Sequence, residues 1–250
     1  MRAYPGAPVP ETVSSNRDAF LLDVDGTILD IAETPEDVIV PESLKSSLAR
    51  LQEKTDGAIA LVSGRRIADL DGLFAPLGLA AIGCHGAEWR TVPGAQVTLR
   101  APPLSTRVSN ALRAAVANMS GLRIEEKFYA LAFHYRRAPE LGPELEARLH
   151  SAAQPYSGLR LLRGKMVVEV KSGRFDKGEA VESLMRLQPF AGRRPVFLGD
   201  DTTDEDAFAE VHALGGLGIS VGREMPDAEL MLPTPEAARQ WLAGVAGNPD

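Results

Sequence analysis

Residues 21–30 read LLDVDGTILD, with two carboxylates, Asp23 and Asp25, two positions apart, after an apolar run and before a glycine. In an extended strand that spacing puts both on one face, where like charges repel and push each other's pKa upward. A second acidic group stands in GDDTTDED, with Asp200, Asp201 and Asp204. Five aspartates brought to one crevice need a counter-charge. Mg2+ suits them, because it prefers oxygen ligands and is commonly held by one or two carboxylates, waters and a substrate phosphate. Alone, GDDTTDED reads equally well as a solvated acidic loop. Candidate phosphate donors lie elsewhere: the hydroxyls of Thr27 and Ser63, and Lys177 at a helix start in FDKGEA, where the helix N-terminus also favours an anion. Singly, Ser63 reads as a helix cap before RIADL and Lys177 as a surface lysine. Their weight comes from the order DxDGT, S-G-R, lysine, GDDxxD.

The elements around these residues explain how they would meet. AFLLDVDG (19–26), AIALVSGR (58–65), LAAIGCHGAEWR (79–90) and PVFLGD (195–200) contain continuous apolar runs, as expected for parallel strands covered on both faces. Helical spacing separates them, as with Leu44, Leu48 and Leu51 on one stripe. The βαβαβ order predicts an α/β fold with a Rossmann-like open parallel sheet, whose ligands bind outside the carboxyl ends of the strands. From 101 to 171 the pattern changes to helix, two alternating strands (LRIEEK and YALAFHYR), helix, and a hairpin in LRLLRGKMVVEV turning at Gly164. The expected organisation is a loose tail over 1–17, a core made of 18–100 and 172–250, and an inserted α+β cap over 101–171.

The 250 residues carry a net charge of -7, which argues against nucleic-acid or membrane-surface partners. It leaves room for a phosphorylated small molecule at a locally basic site. The single cysteine, Cys84, excludes a disulfide framework, fits a cytoplasmic setting, and reads as a small buried filler. No apolar run reaches the length of a membrane span, and the first residues contain no secretory signal.

The ordered motifs resemble those of the haloacid-dehalogenase-like (HAD) phosphatase superfamily, over roughly 18–90 and 172–245. The resemblance implies that Asp23 is the nucleophile, forming an aspartyl-phosphate, and that Asp25 is the general acid and base. It implies Mg2+ held by Asp23, the backbone carbonyl of Asp25, and Asp200, with Asp201 and Asp204 acting directly or through water. It implies phosphoryl binding by Ser63, Gly64, Lys177, Thr27 and the backbone amides around Val24 and Gly26. Within that superfamily, GDDTTDE with GCHGAEWR, EEKFYALAFHYR (125–136) and GKMVVEV (164–170) look like the trehalose-6-phosphate phosphatases. That group usually has a proline soon after the glutamate of the last segment, where Ser172 stands here. The resemblance implies hydrolysis of trehalose 6-phosphate to trehalose and inorganic phosphate, and a functional link to a trehalose-6-phosphate synthase.

The cap would then carry substrate choice. Lys165 and Glu169 share a strand face by spacing. Facing the core they could bind sugar hydroxyls, and facing solvent they are a charge pair. Glu126, His134 and Arg136 share strand parity, whereas Lys127 has the opposite parity. Arg65 is a further candidate sugar contact. His85 is either a substrate contact or a loop histidine, and Trp89 either stacks on a sugar or packs near a hinge. Two other readings stay open: an enzyme for a different sugar phosphate, and a non-catalytic sugar-phosphate sensor.

Overall fold

The computed structural model describes residues 13–32, 37–100, 102–164, 166–173 and 176–247. Lys165 and most of the expected tail lie outside the described residues. The chain divides into two compact units, Met1–Thr98 with Phe175–Asp250, and Leu99–Arg174.

The larger unit is built on an eight-stranded sheet of order β12-β11-β10-β1-β2-β3-β4-β5. Its centre is β1 (Asp18–Leu22), flanked by β10 (Arg194–Gly199) and β2 (Ile59–Val62). Beyond these lie β11 (Leu217–Val221) and β12 (Leu230–Leu232) on one side, and β3 (Ala80–Gly83), β4 (Glu88–Arg90) and β5 (Thr98–Leu99) on the other. The pairings from β12 through β3 are parallel, and β3 pairs β4 antiparallel. Both faces of β1 are buried, which is why its apolar run does not alternate with polar residues. Phe20 and Leu22 pack with α1 (Glu42–Lys54), α2 (Ile67–Phe74) and α7 (Pro235–Ala246). Ala19 and Leu21 pack on the other side with α5 (Lys177–Met185) and α6 (Glu205–Ala213). Burial of each large apolar side chain in these layers contributes about 1.5–3 kcal/mol.

One stretch departs from the sequence reading. The segment 79–90 holds two strands, joined by Cys84 and His85 with φ of +50° and +54°. Two successive non-glycine residues in the left-handed region cost about 1–3 kcal/mol each and persist only where their surroundings fix them. Here they are fixed by Cys84 N donating to Arg65 O and His85 N donating to Ser63 O. At the chain start, Ser14 N donates to Asp18 Oδ2 at 2.8 Å and Val13 packs on the core, so the described end of the expected loose tail is tied down.

The smaller unit is a four-stranded antiparallel sheet, β6-β7-β9-β8. It comprises β6 (Arg123–Lys127), β7 (Ala130–His134), β8 (Leu159–Gly164) and β9 (Val167–Ser172). Leu131, Phe133, Val168 and Val170 pack under α3 (Thr106–Ala115) and α4 (Gly142–Ala153). The opposite face carries Glu125, Lys127, His134, Glu169 and Lys171, as the register of facing residues requires.

Candidate active site

Asp23 follows β1 directly, and its amide donates to Leu198 O of β10 at 2.9 Å, which holds the residue at the sheet's carboxyl edge. Its carboxylate is buried. Oδ1 accepts from Lys177 Nζ at 2.7 Å, and Oδ2 lies 2.9 Å from Thr27 Oγ1. Lys177 opens α5, whose N-cap Asp176 accepts from Glu179 N. Its buried ammonium also donates to Asp204 Oδ1 at 2.5 Å. Asp204 Oδ2 accepts from the amides of Asp200 and Asp201, at 3.0 Å each. Lys177 thus ties the end of β1 to the turn after β10.

Asp200 completes the cluster. Its Oδ1 lies 2.9 Å from Thr27 Oγ1, so Thr27 bridges two carboxylates. Gly26 is required beside it: its φ is +88°, and a Cβ there would stand 2.2 Å from Asp200 Oδ2. Ligand oxygens of Asp23, Asp200 and Asp204 lie within 4.8 Å of one another. Burial, followed by the charges of neighbouring carboxylates, raises the pKa of Asp23 well above the usual carboxylate value. Burial chiefly, with Asp204 and Asp201 adding repulsion, raises Asp200 to about 6. Lys177 is displaced upward, because Asp204 and Asp23 outweigh its burial. The three carboxylates outnumber their one ammonium. This all-oxygen, charge-deficient donor set fits a hard divalent cation.

Several expected residues sit differently. Asp23 and Asp25 share no strand face, because β1 ends at Leu22. Asp25 turns to Arg65, with Nε donating to Oδ2 and Nη2 to Oδ1, both at 2.7 Å. Asp201 stands outside the carboxylate group and caps the turn at 202–204, its side chain accepting from Asp204 N. Thr27 is fully buried between carboxylates, which engages the hydroxyl expected to face a phosphate. Val24 is fully buried, and its carbonyl accepts from Ile28 and Leu29.

Ser63 is buried, and its Oγ accepts from Arg65 N at 3.1 Å. It is not the cap of α2. That place belongs to the buried carboxylate of Glu88, which accepts from Ile67 N at 2.8 Å and Arg66 Nε at 3.3 Å. The sequence reading missed Glu88, since 21 residues separate it from the amide it caps. The His85 ring lies against Gly64, where a Cβ would meet Nε2 at 2.6 Å. Trp89 is buried, its Nε1 donating to Gly86 O at 2.7 Å, which favours the packing role.

In the smaller unit, Lys127 Nζ donates to Glu169 Oε2 at 2.6 Å, and His134 Nε2 lies 2.8 Å from Glu125 Oε2. The His134 bond is the main reason the Glu125 carboxyl is shifted below its ordinary value. The two-residue turn Phe128–Tyr129 pairs Lys127 with Ala130, so odd positions of β6 share a face with even positions of β7. Lys127 therefore joins His134. Glu126 falls on the helix side and pairs with Arg113 of α3 at 2.6 Å. Arg136 lies exposed in the turn after β7. The β8–β9 hairpin pairs Gly164 with Val167, so Gly164 is the last residue of β8 and not the turn expected there. Glu169 lies within β9, which begins at Val167, and Lys165 falls outside the described residues.

The trehalose-phosphatase family profile matches residues 21–228. The chain belongs to the trehalose-phosphatase family. A protein of Sinorhizobium fredii named "Probable trehalose-phosphate phosphatase" is 43% identical over 233 residues, covering 91% of this chain and 87% of the relative. The Escherichia coli protein named trehalose-6-phosphate phosphatase is 38% identical over 237 residues, covering 94% and 89%. A solved phosphatase of the HAD enzyme superfamily from Bacteroides thetaiotaomicron superposes with TM-score 0.64 over 95% of this chain and 97% of that one. At 16% identity that likeness concerns the fold alone. Among the described residues, no helix is long and apolar enough to cross a membrane.

Proposed function

We propose that this chain is a Mg2+-dependent phosphatase of trehalose 6-phosphate. The observation carrying this reading is the buried Asp23, held between Lys177 and Thr27 beside Asp200 and Asp204, in a chain of the trehalose-phosphatase family. Asp23 attacks phosphorus, a P–O bond forms to its carboxylate, and the bond to the sugar oxygen breaks. Asp25 gives the departing oxygen a proton. Asp25 then takes a proton from water, which attacks the aspartyl-phosphate and releases inorganic phosphate, regenerating both carboxyl groups. Bound by Asp23, Asp200 and the Asp25 carbonyl, with Asp204 and Asp201 in support, Mg2+ would supply the positive charge that offsets repulsion between carboxylate and phosphoryl group. Lys177 holds Asp23 in one rotamer throughout and adds its own charge. Ser63, Gly64 and the amides of Val24 and Asp25 are the proposed phosphoryl contacts, since the Gly26 amide already donates to Leu29 O at 2.8 Å.

Sugar recognition is assigned to the polar sheet face of the smaller unit, through Glu125, Lys127 and Glu169, with Lys165 as a candidate from its sequence position. A disaccharide offers many hydroxyls, and paired carboxylate and ammonium groups can accept and donate to them at once. A cytoplasmic setting and a synthase that supplies the substrate belong to the same reading. The test compares phosphate release by wild type and Asp23→Asn. The variant should lose at least about 10³-fold, as expected when a covalent nucleophile is removed. Equal, background-level release from both would favour a sensor instead.

A further inference from the structure

Asp23 and Asp25 stand two residues apart yet have separate cations. Asp23 takes Lys177, and Asp25 takes both Nε and Nη2 of Arg65. Their surroundings differ too: the Asp23 side chain is 7% exposed and that of Asp25 37%. Arg65 comes from the end of β2, forty residues away, and its backbone is anchored on both sides. Its amide donates to Ser63 Oγ, its carbonyl accepts from Cys84 N, and a Cβ on Gly83 would stand 2.9 Å from that carbonyl. Such a mounting fixes the backbone from which the guanidinium reaches Asp25. A planar fork fixes a carboxylate in both position and tilt, which a lysine cannot do.

We propose that Arg65 is the positioning residue for Asp25, holding the second carboxylate apart from the buried cluster so that it meets the leaving oxygen. The proposal rests on the assignment of Asp25 as proton carrier. The physical need is plain: three carboxylates already share Lys177's surroundings, and a fourth among them would compete for the same cations. Arg65 gives Asp25 its own positive partner at the exposed side. A carboxylate held by a fork can keep one N–H contact while its other oxygen handles a proton. Arg65 therefore acts through Asp25, and not as a contact to the sugar.

The test uses three esters: trehalose 6-phosphate, glycerol 2-phosphate as a small alkyl ester, and 4-nitrophenyl phosphate. Both alkyl esters expel a poor leaving group that needs a proton, whereas nitrophenolate departs without one. The readout is kcat/KM, which ends at the first irreversible step and so isolates ester cleavage. Arg65→Ala and Arg65→Lys should each lose about 10- to 100-fold on both alkyl esters and less than about 3-fold on the aryl ester. The double variant Asp25→Asn, Arg65→Ala should fall no further than Asp25→Asn alone. Loss confined to trehalose 6-phosphate would make Arg65 a sugar contact and overturn the proposal. Equal loss on all three esters, or additive losses in the double variant, would overturn it as well. If Arg65→Ala does not fold by circular dichroism, Arg65→Lys carries the same comparison. If Asp25→Asn itself shows no dependence on leaving group, the role of Asp25 falls, and that outcome is distinct from failure at Arg65 alone.

Discussion

The two units of the chain carry opposite charge. Leu99–Arg174 holds 13 lysines and arginines against 6 acidic residues, whereas the rest holds 14 against 28. Their polar groups are also deployed differently. In the larger unit Asp23, Lys177 and Asp204 are buried and bound to one another. In the smaller unit His134 and Glu125 stand partly in water, with side-chain exposures of 37% and 38%, and Lys127, at 30%, meets a buried Glu169. Buried charges have fixed partners, and removing one strands the others. Partners that reach solvent, as Lys127, His134 and Glu125 do, can exchange a contact for a ligand hydroxyl at little cost. That contrast fits the proposed division, with the reaction in one unit and sugar recognition in the other.

The sharpest way to break that contrast is to remove the shared ammonium. Lys177→Ala leaves Asp23 and Asp204 buried without their cation, and should destabilise the protein by about 3–5 kcal/mol. A chain of this size loses about 2–4 °C of Tm per kcal/mol, so thermal unfolding should show a drop near 10 °C. A variant melting within a degree or two of wild type would contradict the buried-cluster account.

Cation binding gives the next effect. Without metal, the raised pKa of Asp200, about 6, means that the folded chain binds more protons than the unfolded one near that pH. This contribution is fully present below the unfolded carboxylate value and is lost as pH rises through about 6. Mg2+ bound at the proposed site would take the place of those protons. At a hundredfold excess over Kd it should stabilise the fold by about 2.7 kcal/mol, and it should raise Tm more at pH 7.5 than at pH 5.5. Calorimetry with and without a chelator reads this directly, and a larger Mg2+ effect at the lower pH would count against the cluster as its site.

The smaller unit should answer more selectively. Lys127→Ala and Glu169→Ala should raise KM for trehalose 6-phosphate about 10-fold or more, while turnover of 4-nitrophenyl phosphate stays within about 3-fold of wild type. Matching losses on both substrates would remove these residues from sugar recognition. The smallest expected change is in the His134–Glu125 pair. Its depressed carboxyl contributes stability present above the unfolded glutamate value and lost as pH falls through the folded one. At this exposure the pair is worth under about 1 kcal/mol. In His134→Ala, the Glu125 resonance followed by NMR should titrate at a higher pH than in wild type. An unchanged titration would detach His134 from Glu125.

Much of the larger unit was legible because its chemistry sits at strand ends, where an apolar run stops at a polar residue. Asp23, Asp200 and Asp204 were named from such positions, and Lys177 from a helix start. Pairings across the sheet were not legible. Nothing in the local sequence says that Arg65 reaches Asp25, or that Glu88 caps α2, because both bonds close only when separate strands come together. In the smaller unit the limit was parity. Counting even positions put Glu126 beside His134, but the two-residue turn at Phe128–Tyr129 reverses the count between β6 and β7. Glu125 and Lys127 take the places that Glu126 was expected to share.

The most direct test of the account is a substrate panel at fixed Mg2+, measuring phosphate release from trehalose 6-phosphate, sucrose 6-phosphate and glucose 6-phosphate. The account predicts that kcat/KM for trehalose 6-phosphate exceeds the other two by at least about 100-fold, the scale of discrimination that paired hydrogen bonds to hydroxyls allow. Equal rates, or a preference for sucrose 6-phosphate or glucose 6-phosphate, would contradict it.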